Sequence, residues 1–290
     1  MVKALKSTPY IIVMGNEKGG TGKSTVTMHI LTDLLLRGFK VGSIDLDARQ
    51  GTLTRYVQNR KSTAENSGID LPVPDHTPLY KSELDNLCEA KAEEEEQLAQ
   101  VLAKYDLHDF VIIDTPGSDT YLSRIGHQRA DTLITPLNDS FVDLDMLVRV
   151  DGKSMDIVKP STYAEMVWEY KKQRLLRDGG TIDWIVLRNR LANVHSRNRE
   201  EMTKLITGLA KRIGFRIASG FGERVIFREL FLSGLTLLDM RRTGVPMTLS
   251  HVSAKQELLD LVEMIDLPEM LKQKQKQLTP DENSNRSKIA

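Results

Sequence analysis

Residues 15–25 read GNEKGGTGKST, a glycine-rich stretch carrying two lysines, Lys18 and Lys23, and two adjacent hydroxyls, Ser24 and Thr25. Small residues let backbone N–H groups converge on an oxyanion, and a helix N-terminus directly behind them adds a favourable dipole. Gly22, Lys23 and Ser24 match the end of the Walker A pattern, in which the lysine reaches the β and γ phosphates of a nucleotide and the hydroxyl ligates Mg2+. Glu17 stands where the usual pattern has its first glycine, so the variant KGGTGKST applies instead. The bland alternative is a glycine-rich turn with no ligand. Asp45 and Asp47, in the run IDLDARQ, are spaced two apart and so share one side of an extended segment. The bland alternative for Asp47 is a helix cap. Asp114 closes the run FVIID, the position of a Walker B acid that holds Mg2+ through water, and Thr115, Pro116 and Gly117 form a switch-like turn after it.

These groups need a scaffold that brings strand ends together. Apolar runs at 10–14, 40–45, 110–114, 132–137 and 184–189 read as strands buried on both faces. Helical patterns fill the gaps, notably at 24–37, with Gly38 as a stop, and at 198–213. The alternation predicts an α/β fold of the P-loop NTPase kind, a mainly parallel sheet with helices on both faces. In such sheets ligands sit in the crevice beyond the carboxyl ends of the strands. Residues 59–81 carry Pro72, Pro74 and Pro78 and read as an irregular insertion within one domain spanning 1–268. An acidic helix is expected from 82 to about 105, with seven acids against two bases. Residues 269–290 have little apolar content and are expected to be a disordered tail.

The chain has 290 residues, 40 basic and 40 acidic, so the uniformly basic footprint of a nucleic-acid coat is absent. One cysteine, Cys88, leaves no internal disulfide and no cysteine-rich metal site within one chain, and a reducing cytosol is the expectation. The N-terminal residues do not read as a signal peptide, and no run of about 18 apolar residues suggests a membrane span. The six histidines show no metal-ligand spacing.

Lys18, Gly19, Gly20, Gly22, Lys23 and Ser24 resemble the deviant Walker A box of the ParA/MinD family of P-loop ATPases. The likeness is closest to its MipZ branch, which positions the division site, and extends through IDLDARQ, IIDTPG, TPLNDSFVDLDML, VLRNRLA and the segment from RVIFRELF to GLTLLD. The resemblance implies ATP and Mg2+ as cofactors, a nucleotide-binding set of Glu17, Lys18, Gly19, Gly20, Thr21, Gly22, Lys23, Ser24, Thr25 and Asn189, and metal contacts from Ser24, Asp45 and Asp114. It implies that Lys18 crosses an ATP-bound sandwich homodimer to the partner's phosphates, that Asp47 addresses the attacking water, and that Asn189 reads the adenine edge. An exposed loop asparagine is the alternative for Asn189, and a solvated loop lysine for Lys18. With Lys18, Lys23 and Asp47 as the catalytic set, phosphoryl transfer to water needs little beyond positioning and electrostatics, so weak ATP hydrolysis is expected to act as a clock on the dimer. Further implied partners are a ParB-like protein and the tubulin-like FtsZ, in a cytoplasmic, nucleoid-associated setting.

Residues 188–228 hold ten bases against three acids. Few aromatics interleave them, which suits nonspecific contact with the duplex DNA backbone, with Arg197, Arg199 and Arg224 as the individual candidates. The alternative is a solvated face paired with the acidic helix. An apolar stripe at 256–271 carries acids on its other side, so core packing is expected rather than stable membrane association. Two rival functions are a ParA-type partition ATPase, and a metabolic ATP-using enzyme of the same fold, which would not need Lys18.

Overall fold

Short Ile- and Val-rich segments alternate with helices in the order β1 (Tyr10–Met14), α1 (Lys23–Leu36), β2 (Val41–Asp45), α2 (Thr52–Ser67), β3 (Asp75–Pro78), α3 (Leu87–Lys104), β4 (Phe110–Asp114), α4 (Tyr121–His127) and β5 (Thr132–Asn138). There follow α5 (Phe141–Leu144), β6 (Val148–Val150), β7 (Ile157–Pro160), α6 (Thr162–Asp178), β8 (Asp183–Asn189), α7 (Arg197–Ile213), β9 (Arg216–Ala218), α8 (Ile226–Ser233) and α9 (Leu249–Met264). The computed structural model describes residues 8–138, 140–150, 157–191, 197–218, 220–244, 246–266, 268 and 271–272, with backbone alone at 141, 150, 157 and 197–201.

Seven strands form one parallel sheet in the order β3-β2-β4-β1-β5-β8-β9. All five strand runs expected from the sequence lie in it. Successive residues face opposite layers, as the pleat requires. Ile12, Met14 and Ile112 pack with Val26, Ile30 and Leu34 of α1 and Leu258, Leu261 and Val262 of α9. Val13, Val111 and Ile113 pack instead with Leu98 of α3, Ile125 of α4, Val167 of α6 and Ile206 of α7. The apolar stripe of α9 is therefore core, and among the described residues no helix is long and apolar enough to cross a membrane.

The register brings the chemistry to one edge. Met14 pairs with Asp114 and Asp114 with Asp45, so β1, β4 and β2 end level with one another, while Met14 pairs with Ile134 and β5 and β8 run on together to end at Asn138 and Asn189. The chain passes from β4 to β5 across β1, which opens a crevice where the glycine-rich loop leaves β1.

Residues 59–81 are not irregular throughout. They hold the second half of α2 and the edge strand β3, parallel to β2. An edge strand tolerates proline because one side of its backbone has no ladder to complete, and Pro78 closes β3 beside Asp45. Buried Leu71 and Leu79 anchor the segment. Inside it Arg60, fully buried, makes paired hydrogen bonds to Asp239 at 2.7 and 2.9 Å and donates to Pro72 O at 2.7 Å. The acidic helix starts later than expected, at Leu87, because the Asn86 side chain caps it by accepting from Cys88 N and Glu89 N. The antiparallel pair β6 and β7 has no counterpart in the sequence reading.

Candidate functional site

The glycine-rich loop begins where Gly15 N donates to Ile134 O of the neighbouring strand at 2.9 Å. Tyr163 Oη donates to Gly15 O at 3.0 Å from behind, and Asn16 reaches across to Pro136 O while accepting from Lys18 N at 2.6 Å. The loop is thus clamped before it turns. Gly22 sits at φ 87°, the left-handed region, immediately before α1, and a Cβ there would collide with the Asn189 amide. Gly117, in the turn after β4, has no room for a side chain because the backbone of Lys18 and Gly19 lies against it. The turn after Asp114 therefore touches the loop directly.

Lys23 is buried, and its Nζ donates to Lys18 O at 2.8 Å. Burial lowers its pKa, with Asp114 and Asp47 acting against the shift. Ser24 Oγ donates to Asp114 Oδ2 at 2.6 Å, and Thr27 Oγ1 approaches Asp114 Oδ1 at 3.4 Å. Asp114 is buried, and its pKa is pushed up to about 7, first by loss of water and then by the charge of Asp45. A hydroxyl and a buried carboxylate are hard oxygen donors of the kind Mg2+ takes, and a cation beside Asp114 would relieve the cost of ionising it. Thr21 Oγ1 is buried with no hydrogen-bond partner among the described residues, in the middle of the loop where phosphate oxygens would lie. Ser24 and Asp114 thus fit Mg2+, and the loop fits phosphate. Among the described residues no three His, Cys, Asp or Glu side chains converge as a cage of their own, so phosphate and water would complete the coordination.

Asp45 and Asp47 share a strand end but not a task. Both oxygens of fully buried Asp45 are engaged: Oδ1 accepts from Asp47 N at 2.9 Å, and Oδ2 from Thr54 N at 3.0 Å and Thr54 Oγ1 at 2.7 Å. Asp45 therefore serves the first turn of α2, the task that the bland alternative had given to Asp47, and is set toward a helix rather than an open metal position. Asp47 is half-buried, and its carboxyl is raised by burial and by Asp45, while Lys23 pulls it back. Glu17 is likewise raised, chiefly by burial.

Lys18 lies at the loop rim, a third exposed. Its Nζ donates to Val142 O and lies 3.2 Å from Asp143 Oδ1, a partner 125 residues away. Asn189 is buried rather than an exposed loop residue, and its Nδ2 donates to Thr21 O at 2.7 Å. It braces the loop from the end of β8.

Beyond Asn189 opens a cavity of about 380 Å3, running from Gly22, Thr25 and Val26 to the aromatic wall of Phe221, Phe227 and Phe231. The sequence reading missed these aromatics. Phe227 and Phe231, four apart on one helix, were the available signal. Arg224 also lines this cavity, and its guanidinium grips Glu257 of α9 at 2.6 and 2.7 Å. That commitment corrects its assignment to a free DNA-contacting face.

The remaining basic residues are not all free. Arg216 pairs with Asp183, Arg188 donates to Thr203 Oγ1 at 2.7 Å, and Lys204, Lys211 and Arg212 are exposed on α7. Arg197 and Arg199 begin α7, but their side chains lie outside the described residues, as does the tail beyond 272. Among the described residues no ion pair joins α3 to α7.

Known proteins resemble this chain in sequence and in fold. The chain is 29% identical over 140 residues to the cytosolic Fe-S cluster assembly factor CFD1 of Kluyveromyces lactis, covering 42% of this chain and spanning about half of that relative's length, 50%. It is 24% identical over 237 residues to the maintenance of carboxysome distribution protein A of Halothiobacillus neapolitanus, covering 81% of this chain and 89% of that one. A variant of Cyanothece McdA solved in complex with ATP superposes with a TM-score of 0.52 at 19% identity, covering 87% of this chain and 97% of that one, a likeness of fold. The family model described as ATPase MipZ matches residues 10–269, nearly the whole described chain, and the protein belongs to that family of P-loop ATPases.

Proposed function

We propose that this chain is an ATP-dependent dimerising switch that hydrolyses ATP slowly, binds duplex DNA without sequence preference and positions the division site by blocking FtsZ assembly. The observation that carries the reading is the loop with two lysines in different states: Lys23 buried against the loop, and Lys18 at its rim on a tether that can be released. Lys23 would neutralise the β and γ phosphates, Ser24 and Asp114 would hold Mg2+, and Asp47, raised above an ordinary carboxylate, would accept a hydrogen bond from the attacking water. Mg2+ would supply charge neutralisation on the phosphates. Lys18, freed from Asp143, would serve the nucleotide of a second protomer, and doubling the exposed bases Lys204, Lys211 and Arg212 would make DNA affinity follow the ATP state. Asn189, through Thr21, would link the loop to the base-binding end. A ParB-like protein would deliver the switch to the chromosome, placing it in the nucleoid-associated cytoplasm.

Size-exclusion chromatography with ADP, ATP and a slowly hydrolysed analogue, with and without duplex DNA, tests this reading. The expected result is a dimer with ATP or the analogue that co-elutes with DNA, and a monomer with ADP. A chain that stays monomeric when saturated with the analogue overturns the switch. A nucleotide-bound dimer that leaves FtsZ polymerisation untouched removes the division-site role while leaving a partition-type switch.

A further inference from the structure

Arg190 is the one non-glycine residue with positive φ among the described residues, at 53°. The neighbouring geometry explains why. Asn189 is fixed on one side, by its register with Asn138 and its bond to Thr21 O. Leu191 is fixed on the other, bridged to Gly222, with Leu191 N donating to Phe221 O and Glu223 N donating to Leu191 O, both at 3.2 Å. Arg190 spans the step between the P-loop brace and the aromatic wall, and the left-handed turn is the cost of making it. A long side chain is a poor choice for that conformation, where glycine or asparagine is favoured. Strained backbone of this kind persists where the surrounding structure enforces it, and it gathers at ligand sites.

The arginine lines the 380 Å3 cavity and is exposed, and its guanidinium makes no hydrogen bond or ion pair among the described residues. Arg224, on the same cavity, is by contrast spent on Glu257. The cavity is walled by Val26, Phe221, Phe227 and Phe231, so it suits a flat, largely apolar ring rather than phosphate, which the loop at Gly22 receives at its other end. We propose that Arg190 is a base-contacting residue, a cationic cover for the purine ring of the nucleotide held in this cavity. The inference rests on the nucleotide reading above and names the group that closes its base end. A guanidinium over an aromatic ring gains from the ring's quadrupole, most when both are shielded from water.

Equilibrium dialysis of the full chain with Mg·ATP, with inorganic tripolyphosphate as competitor, tests the assignment. Arg190→Gly suits the backbone and removes the cation, and Arg190→Lys keeps a cation. Arg190→Gly is expected to melt no lower than wild type, to bind ATP roughly three- to tenfold more weakly, and to bind tripolyphosphate as wild type does, with Arg190→Lys intermediate. Unchanged ATP affinity in Arg190→Gly overturns the proposal. Equal weakening toward tripolyphosphate overturns it too, since the contact would then serve the phosphates. A lower melting temperature together with weaker binding makes the residue structural and also overturns it. Wild-type protein that binds no ATP overturns the nucleotide reading itself.

Discussion

Lys18 Nζ lies 3.2 Å from Asp143 Oδ1, with side-chain exposures of 33% and 11%, and it donates as well to Val142 O. A partly screened pair of this kind is worth about 0.5–1 kcal/mol. If Lys18 must leave Asp143 to reach a second protomer, each dimer breaks two such pairs, so the tether opposes association by about 1–2 kcal/mol, or roughly five- to thirtyfold in the dissociation constant. Asp143→Asn isolates that contribution. The amide keeps the shape and an oxygen that can accept from Asn138 N, which Asp143 Oδ2 does at 3.0 Å, while the charge facing Lys18 disappears. Sedimentation equilibrium in a slowly hydrolysed ATP analogue is expected to show the Asp143→Asn dimer tighter by that factor, with Lys18→Ala failing to dimerise. An Asp143→Asn dimer no tighter than wild type, or weaker, would refute the reasoning, because Asp143 would then be neutral toward association or would assist it.

Four further outcomes follow from buried or conformationally restricted groups. Asp114, raised from 3.8 to about 7, must ionise without water above pH 7, so wild-type stability falls as pH rises between about 4 and 7; Asp114→Asn is expected to be more stable at pH 8 by up to about 4 kcal/mol in urea melts, and to lose Mg2+-dependent ATP hydrolysis. His29 and His127, each lowered from 6.5 to about 4 by burial, work in the opposite direction, since the unfolded chain gains protons first as pH falls below 6.5; at pH 5 they cost about 2 kcal/mol each. Wild type should therefore lose only about 1–2 kcal/mol from pH 7 to 5, whereas Asp114→Asn should lose about 4 kcal/mol across the same range, and parallel profiles would contradict both assignments. Gly22→Ala, at φ 87° and against Asn189, is expected to weaken ATP binding at least tenfold with the far-ultraviolet circular dichroism spectrum retained; wild-type affinity in that variant would show that the loop can relax. Arg60→Met leaves Asp239 buried and unpaired, and a loss of about 3–5 kcal/mol in urea denaturation is expected, more than any exposed pair would give.

Local signals carried the elements. The five apolar runs are strands because they are buried on both faces of a parallel sheet, and such runs need no partner to be recognised. The glycine-rich loop was legible for the same reason, since strand, small residues, Lys23, Ser24 and helix are contiguous. The edge strand β3 escaped notice because its sequence, DHTP, has no apolar alternation and ends on proline. It is a strand only because β2 offers it a ladder. The basic run misled in the opposite sense. Ten positive charges within 41 positions look like a patch, yet Arg216, Arg188 and Arg224 are each held by a different partner elsewhere in the fold.

What the sequence by itself determined was the inventory: a phosphate loop with two lysines, acids at strand ends, and the alternation that puts those ends on one edge. Tertiary structure decided what each residue does there. Asn189 braces Thr21 from 168 positions away, Lys18 is tethered by Asp143 across 125, and Asp45 turns to the start of α2. A side chain's role depends on which donor or charge lies within about 3 Å, and for these residues the neighbour comes from a distant part of the chain that only packing brings near.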